Sequence, residues 1–137
     1  MDSELIEIAT GDRLLTDLTD RIKEFCAGRG DGLLNVFAPH ATAGLALIEL
    51  GSGSEEDLLE LLSRWLPADD RYRHRHGSRG HGRDHLLPVF VTPSLVLPVV
   101  HGEPAIGIWQ SVVIVDTNRD NRVRRLQMTF LSAASTK

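Results

Sequence analysis

A single cysteine, Cys26, leaves the chain nothing to pair with internally, so no disulfide staples this fold. It falls on the apolar side of a predicted helix, where a buried core thiol fits a reducing compartment. The chain also lacks a membrane-length apolar run. Its most apolar stretch, Leu86 to Val100, is interrupted by Pro88, Pro93 and Pro98 and is shorter than the roughly 20 residues a spanning helix needs. The acidic start, MDSELIEIATGD, has neither the basic opening nor the apolar block of a signal peptide. These features predict a cytoplasmic protein with no membrane partner. An excess of positive charge is missing as well. At a formal −4 the chain has no global field for nucleic acid, and its arginine patches are too small to supply one. No P-loop, Rossmann glycine motif, GxSxG elbow or fixed-spacing Cys or HExxH metal signature occurs.

What the chain does have is a loop dense in histidine. Tyr72 to His85 reads YRHRHGSRGHGRDH and holds four of the six histidines: His74, His76, His81 and His85. Histidine is both a metal ligand and a proton carrier near neutral pH. Gly77, Gly80 and Gly82 permit backbone conformations that let several imidazoles converge. The plainer reading is a solvated Gly/Arg-rich loop, but so many histidines in so few residues favour a site.

The remaining residues read as a frame for this loop. With 42 % apolar and 25 % charged residues, the chain is predicted to fold as one domain over 1–137. Strands are predicted at 3–9, 33–38, 44–49, 94–100, 105–116 and 122–131. A first helix takes Thr16 as N-cap and buries Leu18, Ile22, Phe25 and Cys26, ending at Gly28 and Gly30. A second opens on Ser54 and Asp57 at capping-box spacing and buries Leu58, Leu61, Leu62, Trp65 and Leu66. Residues 86–92 suggest a short helical turn, and the tail from Ser132 to Lys137 suggests no structure. Strands and helices without βαβ regularity predict an α+β fold with a mainly antiparallel sheet or sandwich and two to three helices.

Four blocks, in order, resemble the YjbQ-like family, whose members are described as secondary thiamine-phosphate synthases. Pro39 to Glu49 (PHATAGLALIE) resembles its HTTA-type histidine loop, and Tyr72-Arg73-His74 its YRH. His85, ahead of the strand ending in Pro98-Val99, resembles its second histidine block. Gly107-Ile108-Trp109-Gln110 through Val115-Asp116 resembles its GTWQ strand. The match runs over nearly the whole chain. Two departures stand out: the family's acidic pair after the Glu block falls here on Gly51 to Ser54, and its Asp-Gly-Asn-Gly approach to the last histidine is Arg79-Gly80-His81-Gly82. The resemblance implies a YjbQ-like α+β fold, a homotrimer with sites near subunit boundaries, and a reaction joining a pyrimidine pyrophosphate to a thiazole phosphate. It also makes His40, His74 and His85 the shared set, with His76 and His81 as additions.

The expected site follows from these residues. His40, His74 and His85 supply three ligands to a divalent metal such as zinc, with His81, Asp84 or Glu49 as a fourth ligand or supporting group. His40, Glu49 and His85 are the candidate catalytic groups, acting as proton carriers or base. The small residues Ala41, Thr42, Ala43 and Gly44 around His40 leave room for a ligand. Arg73, Arg83 and Gln110 are candidates for holding the substrate, with Arg75, Arg79, Arg119, Arg122, Arg124 and Arg125 also able to meet phosphate. Each has a bland alternative as well: a packed histidine, a solvated strand end, a charged sheet edge. The leading expectation is a thiamine-phosphate-synthase-like transferase handling a phosphorylated small molecule, the metal screening pyrophosphate charge. The alternatives are a metal-dependent hydrolase of a small phosphorylated substrate and a non-catalytic trimeric metal- or ligand-binding protein. The missing acidic pair favours the last.

Overall fold

Every long strand in this chain pairs antiparallel, and the pairs divide between two sheets. The structure, a computed structural model, describes residues 1–133. Residues 134–137, within the tail expected to lack structure, lie outside the described residues. In chain order the elements are β1 (Asp2–Ala9), β2 (Leu15–Asp17), α1 (Thr19–Cys26), β3 (Gly32–Phe37), β4 (Ala43–Ile48) and α2 (Ser54–Trp65). There follow α3 (Leu87–Phe90), β5 (Ser94–Val100), β6 (Glu103–Pro104), β7 (Ser111–Asp116) and β8 (Val123–Ser132). One sheet runs β1-β8-β3-β5-β6 and the other β2-β7-β4. The α+β fold with two long helices and a short third is the one the residue pattern predicts.

The register explains the layering. In the larger sheet Val36 lies between Leu95 and Met128, and the alternate residues Leu34, Val36, Leu97, Leu126, Met128 and Phe130 point inward. They meet Ala43 and Leu45 of β4, Val112 and Ile114 of β7, and the apolar face of α1. The residues between Val112 and Ile114 point the other way. Val113 and Val115 pack with Leu62 of α2, with Leu66 just past its end and with Leu87 of α3 in a second core. A strand covered on both faces needs no polar alternation, which is why 112–115 reads VVIV. Each of these side chains contributes on the order of 1.5–3 kcal/mol relative to exposure. The sandwich is thus closed on one side by helices, and the chain between α2 and α3 is the histidine loop.

Several local expectations change. On α1, Leu18, Ile22, Phe25 and Cys26 are buried as their spacing predicts. Thr16, however, lies in β2, and Asp17 Oδ1 instead accepts from the Thr19 amide (2.9 Å) and hydroxyl (2.6 Å). At α2 the capping box does not form. Gly53 takes the N-cap position at φ 91°, and Glu55, Glu56 and Asp57 in the first turn complement the helix dipole. Its predicted stripe is only partly buried: Leu62 and Leu66 are core, whereas Leu61 and Trp65 are exposed. The strand expected from Ala105 begins at Ser111, because 105–110 curls into a loop closed by the Gln110 amide donating to the Gly107 carbonyl (2.9 Å). Pro88 sits in the first turn of α3, where its missing N–H costs nothing.

Candidate metal centre

The loop from Pro67 to Leu86 is tied down before any ligand is considered. Arg83 Nη1 donates to the Leu66 carbonyl at the end of α2 (3.1 Å), and the Tyr72 hydroxyl donates to the Pro67 carbonyl (2.9 Å). Gly82 packs where a Cβ would stand 2.5 Å from Cβ of Tyr72. Gly77, at φ +79°, packs where one would stand 2.7 Å from Asp120 Oδ2. No other residue type fits either position without displacing its neighbour.

The folded loop brings His74, His76, His81 and His85 together. One nitrogen from each lies within 4.8 Å of the others. Ring centres range from 4.1 Å for the His74–His76 and His74–His85 pairs to 6.0 Å for His74–His81. Four imidazoles bound to one tetrahedral ion at about 2.0–2.1 Å would place ring centres on the order of 5 Å apart. The set therefore needs only small side-chain rotations to close on an ion. His81 is buried, His85 half-buried, and His74 and His76 face solvent, which leaves the centre an open side.

His81 is the anchor. Its Nε2 lies 3.0 Å from His85 Nε2. Its Nδ1 lies 3.2 Å from Asp84 Oδ2 and 3.3 Å from Asp120 Oδ2. Neither carboxylate oxygen is in line with the ring N–H, so the Nδ1 contact is electrostatic and not a formed hydrogen bond. Two carboxylate oxygens beside Nδ1 favour the tautomer that turns its N–H toward them and its Nε2 lone pair toward the centre, the arrangement that orients metal-binding histidines. Asp84 is itself buried, its carboxyl raised by burial and drawn back by the Thr117 hydroxyl, which donates to Oδ1 (2.6 Å). Asp120 is lowered, chiefly by the Ser78 amide donating to Oδ2 (3.0 Å). His85 is lowered below the usual imidazole value by burial and then by His74, His81 and His76. His74 is lowered by desolvation and then by His76 and His81. Both rings are thus biased toward the neutral form a metal requires.

The other expected residues lie elsewhere. His40 is not of this group within one chain. Its Nε2 accepts from the Arg125 amide (2.8 Å), so the lone pair that would reach a metal is taken. Burial and the nearby Arg124 guanidinium lower its pKa, favouring the neutral ring. Nor do the small residues beside it leave room for a ligand. A Cβ on Gly44 would stand 1.8 Å from the Val91 carbonyl oxygen, and Thr42 is buried under Arg124 and Asn118. Glu49 is exposed and accepts from the Ser52 hydroxyl (2.8 Å) across the turn after β4. Gln110 is exposed in the 105–110 loop, its Oε1 accepting from the Gly107 amide (2.7 Å). Arg83 is half-buried, with Nε 3.6 Å from Asp84, and Arg73 is exposed on the loop surface. Within one chain the structure groups the four loop histidines and leaves His40 apart, so that His76 and His81 stand beside His74 and His85.

Thr117 and Asp120, which the residue pattern does not mark, come from the turn after β7. That turn rests on a buried ion pair. Arg124 donates through Nε to Asp116 Oδ2 (2.6 Å) and through Nη2 to Oδ1 (2.9 Å), and the Asn118 amide also donates to Asp116 (2.9 Å).

The sequence matches the model of the family described as UPF0047 protein YjbQ-like over residues 4–133. It is 55 % identical over 131 residues to the UPF0047 protein Rv2556c of Mycobacterium tuberculosis, covering 96 % of this chain and 98 % of that one. It is 34 % identical over 103 residues to a UPF0047 protein of Archaeoglobus fulgidus, covering 74 % and 79 %. Among solved structures, the hypothetical protein APE1520 of Aeropyrum pernix superimposes with a TM-score of 0.87 at 26 % identity, covering 97 % of this chain and all of that one. A YbjQ-like protein of unknown function from Sulfolobus solfataricus gives 0.87 at 23 % identity, over 96 % and 97 %, and supports the fold.

Proposed function

The chain belongs to the UPF0047 YjbQ-like family, and from that premise we propose that its four-histidine centre binds a divalent transition metal and acts on a phosphorylated small molecule. The supporting observation is the convergence of His74, His76, His81 and His85, with carboxylates behind the buried member. Imidazole donors suit zinc, and also the nickel, copper and iron ions that take more than four ligands. A bound ion would screen the charge of a pyrophosphate leaving group. The reaction proposed is the thiamine-phosphate-synthase-like transfer, joining a pyrimidine pyrophosphate to a thiazole phosphate. In it His85, half-buried and biased toward the neutral ring, would be one of the imidazoles that hold the ion on the open side of the centre.

One observation favours a second reading. Four imidazoles already complete a tetrahedron, and a closed site of that kind is structural. On this reading the protein is a non-catalytic metal-binding module. Both readings take the protein as a homotrimer, supported by apolar residues left in solvent on the single chain, Ile108 (89 % exposed) and Trp109 (71 %) foremost.

Metal analysis and a coupling assay on the same preparation separate these readings. The expected result is one ion per chain in the wild type, less than half of that in His85→Ala, and thiamine phosphate formed only by the wild type. Stoichiometric metal without product leaves the binding module. Product formed equally by His85→Ala, or a wild type empty after growth in metal-replete medium, would sink the proposal.

A further inference from the structure

Behind the metal centre, on the far side of Asp84, lies a second hollow of about 200 Å³ that no histidine enters. Three arginines line it: Arg79 and Arg83 from the histidine loop, and Arg119 from the turn after β7. Ser78 and Thr117 add hydroxyl groups, and Asp84 is the one carboxylate in its wall. The Asp84 charge is already engaged by the Thr117 hydroxyl at 2.6 Å. Arg83 is held in place by the Leu66 carbonyl and Asp84, so its guanidinium is positioned before any ligand arrives. Arg79 has one weak, solvent-exposed partner, Asp70 at 3.5 Å. Arg119 is exposed and enters none of the ion pairs of its neighbours Arg83, Arg122 and Arg125. A smaller hollow continues from it past Arg83, Thr117 and Arg119 toward Asp12 and Leu14.

We infer that this hollow is an anion subsite that takes a phosphate or pyrophosphate group of a small molecule. Three arginines in the wall against one hydrogen-bonded carboxylate leave the lining net positive, and guanidinium forks match phosphate oxygens in pairs. The volume is below the range of pockets that enclose whole drug-sized ligands, so it suits a charged head group and not an entire substrate. Ser78 carries the inference to the metal centre, because its backbone N–H is the group that holds Asp120 beside His81. The wall formed by Ser78, Arg79 and Gly80 is common to this hollow and to the larger one over the histidines. An anion on the arginines would therefore sit one residue layer from the metal ligands. This deepens the proposed function, since it gives the phosphorylated substrate its handle, but the anion site itself does not need a metal.

The test is titration calorimetry with inorganic pyrophosphate, with and without chelator, on the wild type and on Arg119→Ala, Arg79→Ala and Arg21→Ala. Arg21 pairs with Glu24 on α1, away from the hollow, and serves as the control. The expected result is binding by the chelated wild type, about tenfold weaker for Arg119→Ala and for Arg79→Ala, unchanged for Arg21→Ala, and weakened by salt. Metal content should be unchanged in Arg119→Ala. No binding by the chelated wild type, or equal loss in all three variants, would overturn the subsite. So would a loss of metal in Arg119→Ala that parallels its loss of pyrophosphate, because the arginine would then act through the turn. Pyrophosphate binding by a wild type that is already empty of metal when purified from metal-replete growth would leave this inference standing and remove the metal proposal.

Discussion

His81 is the residue on which the centre turns, because it is the buried one and its two nitrogens face different surroundings. The centre on its Nε2 side is open; the groups on its Nδ1 side are acids carried by other parts of the chain. Asp84 is its near neighbour in sequence, but Asp120 arrives from beyond β7. An outer carboxylate of this kind is expected to set metal affinity without touching the ion, and its loss typically costs 10–100-fold. Asp120→Asn keeps the size and the contact with Ser78 and removes the charge. It should therefore weaken zinc binding by about tenfold or more while leaving thermal stability of the metal-free protein nearly unchanged. Competition with a chromophoric chelator measures the first and a melting curve the second. An unchanged affinity would show that Asp120 serves only the loop. His40 makes the contrasting case. Its ring is at a strand connection, as its position after Pro39 suggests, but a backbone amide occupies its Nε2.

Elements place these residues by close approach. β4 runs beneath the segment between α3 and β5, where the Leu45 amide donates to the Thr92 carbonyl (2.8 Å) and Gly44 lies under Val91. The small residues of 41–44 are legible in the sequence, but their purpose is not: the space beside them is filled by backbone. Gly44→Ala should destabilise the protein by about 1–3 kcal/mol, the usual cost of overpacking, because the atom met is a main-chain oxygen that cannot swing aside. Urea unfolding would record this as a lower midpoint at an unchanged slope. A midpoint equal to the wild type's would mean that the 91–93 segment moves freely. The histidine loop depends on neighbouring elements in the same way: α2 receives Arg83 through its last carbonyls, and the turn after β7 supplies Thr117 and Asp120. Spacing within Tyr72–His85 marks the ligands. Apart from Asp84 it carries no trace of the supports, since Thr117 and Asp120 are more than 30 residues further along.

At the scale of the molecule, the apolar residues left on the surface are more telling than those inside. Trp65 and Phe90 meet as a tilted pair with ring centres 5.5 Å apart yet remain exposed, and Ile108 and Trp109 stand out from the 105–110 loop. A helical stripe that includes Leu61 and Trp65 reads as core in the sequence and faces solvent in one chain, as expected of surface that another copy covers. The proposed homotrimer predicts a mass near three times 15.1 kDa by light scattering, falling to one chain's mass in an Ile108→Glu, Trp109→Glu double variant that still unfolds cooperatively. A wild type that scatters as a monomer would reject it.

The sequence by itself determined the six longer strands in outline, the two long helices, the inward face of α1 and the family. All of these are written in local periodicity or in motif order, whereas the short β2 and β6 and the solvent-facing part of the α2 stripe are not. It also marked the loop that carries the candidate ligands, because imidazoles and glycines crowd there in a short span. Only the tertiary structure decided that His76 and His81 belong to the centre and that His40 stands apart from it in the single chain. Only it brought the turn after β7 to the back of His81. Ligand sets are fixed by where lone pairs point and by which backbone groups compete for them, and those directions depend on the packing of elements distant in the chain.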